Sequence, residues 1–151
     1  MADLVGYLIT LALSAAPLSE VKGSIIFGLA SKLSPIAVLS IAILGNIIMV
    51  PVAFWILRRT HFRDIIFRLF HASTSQKIEH HREKFEIYKE LALFVIVSLP
   101  LPLLGAYTGV LISEILGWGW KKSMIAIACG IIVSGIIVFL SAEGIIKLIS
   151  L

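Results

Sequence analysis

The chain has 151 residues, of which 59% are hydrophobic and only 15% charged, with 13 Lys/Arg against 9 Asp/Glu. Soluble globular domains carry about 25% charged residues, so the composition excludes an ordinary soluble domain and points to a one-domain integral membrane protein. The formal charge of +4 is not a nucleic-acid signature, because the basic residues gather in one loop between apolar runs. The single cysteine, Cys129, excludes an internal disulfide and a multi-cysteine metal site. It lies in an apolar span, where its expected role is small-residue packing.

Leu4–Ala16 is uncharged and imitates the core of a signal peptide. Such a signal needs a basic start. Residues 1–3 are Met-Ala-Asp and Pro17 would follow the cut, so the segment is expected to be retained. Its 13 residues reach about 20 Å as a helix, short of the roughly 30 Å of bilayer hydrocarbon. Ser24–Leu33 is a second short apolar run. Between them stands Pro17-Leu18-Ser19-Glu20-Val21-Lys22-Gly23, an acid and a base in an otherwise apolar third. A charge at bilayer depth costs about 2.5–3.5 kcal/mol and usually faces a cavity or a partner. Glu20 and Lys22 diverge on a helix but share a side on an extended segment. Pro17 and Gly23 bracket the place where a helix can break, so the expectation is a non-helical apex lined for a polar substrate.

Ser34-Pro35 reads as a helix start, and Ile36–Leu57 follows without a charge as a full span. Asn46, within Gly45-Asn46, needs a hydrogen-bond partner in hydrocarbon, from the apex or from a neighbouring helix. Arg58–Glu90 is the hydrophilic stretch, with eight Lys/Arg and five acids. Phe62, Ile65, Ile66, Leu69 and Phe70 form an amphipathic stripe suited to a helix in the membrane interface. Ser73-Thr74-Ser75 is its turn, and a second helix follows. His71, His80 and His81 lie here, but adjacent His80 and His81 point apart on a helix, so no metal site is expected.

Leu91–Leu99 ends at Pro100-Leu101-Pro102, and Leu103–Trp118 resumes the apolar run, with Gly105-Ala106-Tyr107-Thr108-Gly109 near its start and Glu114 inside it. Trp118 and Trp120 beside Lys121 and Lys122 look like an interfacial belt. Ser123–Ser141 is the second full span, with Ala126, Gly130 and Ser134 as a small-residue face, and Ile145–Leu151 is an amphiphilic tail.

The halves share a plan of short helix, proline-marked break, short helix and full span. This predicts an all-α membrane fold of two inverted-topology repeats, residues 1–57 and 91–151, around a loop at 58–90. Each repeat is a re-entrant helical hairpin plus one transmembrane helix, and the apices meet near the midplane. The alternative makes each broken pair one kinked spanning helix. Ten Lys/Arg on the side of the loop face two on the other, which makes the loop cytoplasmic and puts both termini outside the cell membrane.

The motifs Ser19-Glu20-Val21-Lys22-Gly23 with Gly28, Gly45-Asn46 with Pro51, and Leu99-Pro100-Leu101-Pro102 with Gly105-Ala106-Tyr107-Thr108-Gly109 together resemble the putative small multi-drug export protein family. The chain departs from the family pattern at Lys22, Ile26 and Leu103-Leu104. The hairpin layout is similar to that of the larger DedA (VTT-domain) membrane proteins. The first resemblance implies export of small molecules. The second implies translocation of polyprenyl-phosphate or other lipid headgroups, with proton coupling.

The residues themselves suggest a transporter of a small amphiphilic or anionic substrate. Its candidate site is Pro17, Glu20, Lys22, Gly23, Asn46, Pro100, Pro102, Gly105, Tyr107, Thr108 and Gly109. Helix N-termini and Lys22 favour an anion there, and Glu20 is the candidate proton carrier. No nucleophile with a base, and no metal cluster, falls at one depth, so neither an enzyme nor a cofactor is expected. A non-transporting assembly factor is the remaining class. The expected partners are membrane lipids, the substrate and further copies of the chain, as a homodimer or larger, with Ala126/Gly130/Ser134 and Gly105/Gly109 as contact surfaces.

Overall fold

The computed structural model describes residues 2–59, 82–101 and 104–149. Six helices follow in order: α1 (Ala2–Ala15), α2 (Glu20–Ala30), α3 (Pro35–Arg59), α4 (Arg82–Ser98), α5 (Ala106–Ile115) and α6 (Trp120–Ile149). There is no strand among the described residues. Two helices, α3 and Trp120–Ile145 of α6, are long and apolar enough to cross a membrane.

Several boundaries differ from the sequence reading. The α2 helix begins at Glu20, so Lys22 and Gly23 lie in a helical first turn rather than in an extended apex. The α4 helix begins at Arg82, inside the stretch read as loop. The expected tail after residue 145 is the last turn of α6, since nothing between Ser141 and Ile149 breaks the backbone. The Phe62–Phe70 stripe, the serine turn and His71, His80 and His81 lie outside the described residues.

The short helices fold back on each other. The Ser34 N–H, beyond the end of α2, donates to Tyr7 Oη near the start of α1 at 3.2 Å, and Leu33 fills the space beside Gly6. Joined end to end as one kinked rod, those residues would stand about 40 Å apart at 1.5 Å per residue. At the other end of the molecule Glu90 of α4 meets Lys122 of α6 at 3.7 Å, and Lys89 lies 6.0 Å over the Trp118 ring. The α1–α2 pair therefore turns back to the corner where α3 begins, and α4–α5 turns back to the corner where α6 begins.

Two of the short helices end alike, 85 positions apart. The α2 helix ends with Leu33 N–H to Gly28 C=O and Lys32 N–H to Leu29 C=O, with Lys32 at φ +57°. The α5 helix ends with Trp118 to Ser113 and Gly117 to Glu114, with Gly117 at φ +65°. Both are Schellman C-caps, closed by one left-handed residue. The buried positions Ile25, Ala42 and Gly45 recur as Val110, Ile127 and Gly130. Within each half the spanning helix packs on both short helices, while α3 packs on α6 and α5, and α2 packs on α6.

Small residues permit the closest approaches. A Cβ at Gly130 would come within 2.7 Å of Val97 and 3.1 Å of the Phe94 carbonyl oxygen. Ala126, Gly130 and Ser134 are buried within the chain, Gly130 against Val97 and Phe94 of α4. Gly105 and Gly109 are likewise buried within the chain, beside Glu20 and between Val97 and Ile127. Cys129 is exposed, contrary to the packing role expected of it, because it lies on the other side of α6. Gly130→Val should lower stability by about 1–3 kcal/mol through overpacking, read as a fall in the thermal unfolding midpoint in detergent. An unchanged midpoint would mean that α4 can move aside.

Candidate functional site

The site is built where the two breaks meet. The first break is a turn over Ala16–Ser19, where Pro17 has no N–H to offer a helix. Ser19 turns its hydroxyl back onto the Leu13 carbonyl at the end of α1. Glu20 then restarts the helix at φ +48°, a left-handed conformation that costs a non-glycine residue about 1–3 kcal/mol unless its surroundings hold it.

What holds it comes from the other half of the chain. The Glu20 Oε1 accepts the Tyr107 N–H at 3.3 Å, and the Ala106 N–H faces the same carboxylate. These are first-turn donors of α5, left without partners inside the helix. The N-cap residue of α5 is Gly105, which has no side chain to cap with. The carboxylate fills the space a Cβ would take at Gly105, so the cap of α5 is supplied by α2. The positive end of the α5 dipole adds to this attraction.

Three further bonds cross the same gap. Lys22 Nζ donates to the carbonyls of Leu101, at 2.6 Å, and Leu104. Both belong to the second break, whose carbonyls no helix uses. Tyr107 Oη donates to the Ala15 carbonyl, closing the C-terminus of α1. Each break thus satisfies the backbone groups that the other leaves open. Hydrogen bonds to charged groups contribute about 1.5–3 kcal/mol each.

The expected site residues divide accordingly. Glu20, Lys22, Gly105 and Tyr107 come together. Pro17 and Pro100 are exposed at their breaks, and Thr108 sits half-buried in the first turn of α5. Gly109 serves close helix packing against Val97 and Ile127, while Gly23 leaves room for the Ser19 side chain one turn earlier. Pro102 lies outside the described residues. Asn46 departs from expectation. It is fully buried, and neither its amide nitrogen nor its oxygen has a hydrogen-bond partner among the described residues.

A second buried carboxylate, Glu114, finds its partner in α3. Glu114, at the far end of α5, receives Arg58 Nε at 2.7 Å and Nη2 at 2.6 Å. The guanidinium also lies 5.7 Å from the Phe54 ring and 5.8 Å from the Trp120 ring. Arg58 opens the hydrophilic stretch in the sequence but lies in the last turn of α3. A carboxyl inside an apolar run calls for a cation, and that rule was the available signal. Among the described residues no group of His, Cys, Asp or Glu is arranged to hold a metal ion.

Residues 20–137 match the family model described as "Putative small multi-drug export protein". The chain belongs to this family. The match begins at the first residue of α2 and takes in the Glu20–Tyr107 contact and the Arg58–Glu114 pair. The family's description names export, a transporter's task rather than an enzyme's. Together with the apolar helices it is consistent with a membrane protein. No curated protein and no solved structure matches the chain.

Proposed function

We propose that this family member is a multi-pass transporter of the cell membrane. It exports a small amphiphilic or anionic substrate through a site between two re-entrant hairpins. The observation that carries this reading is the interlock of the two breaks through Glu20, Lys22 and Tyr107. The fold-back of each short pair and the shared register of the halves favour an inverted repeat, with the apices entering from opposite faces. The excess of Lys/Arg on the loop side favours a cytoplasmic loop at 58–90.

In this reading the interlock is a closed gate. The Glu20 carboxylate holds the anion position at the α5 N-terminus, and Lys22 holds the carbonyls of the second break. An anionic substrate competes with Glu20 for the Ala106 and Tyr107 N–H groups. Protonation of Glu20 weakens the same contact, which couples opening to a proton. Lipid-headgroup translocation of the DedA type would use the same gate with a larger substrate. Assembly as a homodimer or larger oligomer would cover the apolar outer faces of α3 and α6.

Two measurements test this. Cysteines introduced at Asp3 and Leu148 in a Cys129→Ser background should both react with an impermeant reagent in intact cells. Reaction only after permeabilisation would overturn the orientation. Glu20→Gln in proteoliposomes should remove the dependence of transport on a pH gradient while substrate binding persists. Undiminished proton-driven transport by that variant would end the coupling role of Glu20.

A further inference from the structure

We propose that the groove between α2 and α6 binds the hydrocarbon tail of a single-chain anionic amphiphile, whose head group meets Lys22 at its inner end. The inference deepens the export reading by naming a substrate class, and it rests on that reading for the amphiphile's route onward.

The groove has a volume of about 460 Å³ and is lined by Ile26, Leu29 and Ala30 of α2, Pro100, and Ile137 and Ile145 of α6, among others. Small-molecule pockets run from about 300 to 1,000 Å³, so the space suits one chain. Its lining offers almost nothing polar, since the Ser141 hydroxyl is already given to the Ile137 carbonyl at 2.8 Å. Ile26 and Ile145 are 56% and 58% exposed at its rim, so it opens on the outer, apolar face of the bundle.

Charge at one end decides the occupant. Lys22 lies one helical turn before Ile26, on the same side of α2. Its ammonium bonds the carbonyl of Leu101, the residue next to Pro100 of the lining. An ammonium has three N–H donors. Among the described residues two go to Leu101 and Leu104, which leaves the third for an anionic head group.

The other half of the molecule provides the contrast. At the matching place between α5 and α3, Glu114 stands where Leu29 stands in α2. Arg58 of α3 bonds that carboxylate, so an ion pair crosses there. On the α2–α6 side the corresponding space is apolar and open.

The test is equilibrium binding to the full chain in lipid nanodiscs, with dodecyl phosphate, dodecanol and inorganic phosphate as probes. Wild type should bind dodecyl phosphate at least about tenfold more tightly than either other probe. Ala30→Trp, which fills the groove from an exposed position, should weaken dodecyl phosphate and dodecanol alike by about tenfold or more. Lys22→Met should weaken only dodecyl phosphate. Should Lys22→Met fail to fold, Ile145→Trp replaces it as a second groove-filling variant with the same expectation as Ala30→Trp. Unchanged dodecyl phosphate binding in Ala30→Trp overturns the proposal. So does equal binding of dodecanol or inorganic phosphate to wild type. Transport in proteoliposomes separates the two readings. Binding as expected without transport leaves the groove and ends the export reading. Transport of dodecyl phosphate undisturbed by Ala30→Trp ends the groove proposal and leaves export.

Discussion

Gly105→Ala is expected to separate the two breaks. The backbone at Gly105 is extended, at φ −168°, a conformation any residue adopts, so the alanine adds no strain of its own. Its methyl group instead takes the space of the Glu20 carboxylate. The carboxylate then leaves the Ala106 and Tyr107 N–H groups, α5 loses its cap, and the left-handed Glu20 loses the contact that holds it. The loss should be about 1–3 kcal/mol, read as a fall of about 2–4 °C in unfolding midpoint per kcal/mol, with transport falling in parallel. Glu20→Ala should cost a similar amount. The informative variant is the pair. With no carboxylate to displace, Gly105→Ala in a Glu20→Ala background should add almost nothing, a strong departure from additivity. If the two costs simply sum, the cap is not what Gly105 is there to admit.

Arg58→Met is expected to strand the Glu114 carboxylate. That side chain is 10% exposed while the Arg58 side chain is 40% exposed. Removing one partner of a fully buried pair costs about 3–5 kcal/mol. Water reaches this guanidinium, so the expected loss is smaller, about 1–3 kcal/mol. Arg58→Lys should recover only part, because an ammonium cannot present Nε and Nη2 together or lie flat between Phe54 and Trp120. Arg58→Met with Glu114→Leu should recover most of the stability, since it removes both desolvation costs. Thermal unfolding of the three variants in detergent decides the matter. A double variant no more stable than Arg58→Met would show that α5 needs the carboxylate for something other than its partner.

These effects locate what was readable. The helical class, the two helices long and apolar enough to span, and the breaks at Pro17 and Pro100 were legible, because apolar length and helix-breaking residues are local properties of the sequence. Asn46 departs from the reading, since a polar residue in an apolar run announces a need for a partner and Asn46 has none among the described residues. Small-residue spacing is ambiguous for a related reason. Ala126, Gly130 and Ser134 permit a close helix contact, and spacing alone does not say whether the neighbour is α4 or another copy.

The likeness between the two halves shows the same limit more clearly. Pro17 and Pro102, Gly45 and Gly130, and Phe54 and Phe139 stand at equal spacing, yet few other positions agree. What the halves share is burial and helix-capping geometry, which many sequences satisfy. The sequence by itself determined where helices start, stop and stay apolar, because those follow from neighbours along the chain. Only the tertiary structure decided that Glu20 caps α5, that Lys22 takes the second break's carbonyls and that Arg58 answers Glu114. Each of those pairs joins residues more than fifty positions apart, and hydrogen bonds of that kind are fixed by which elements come to lie side by side.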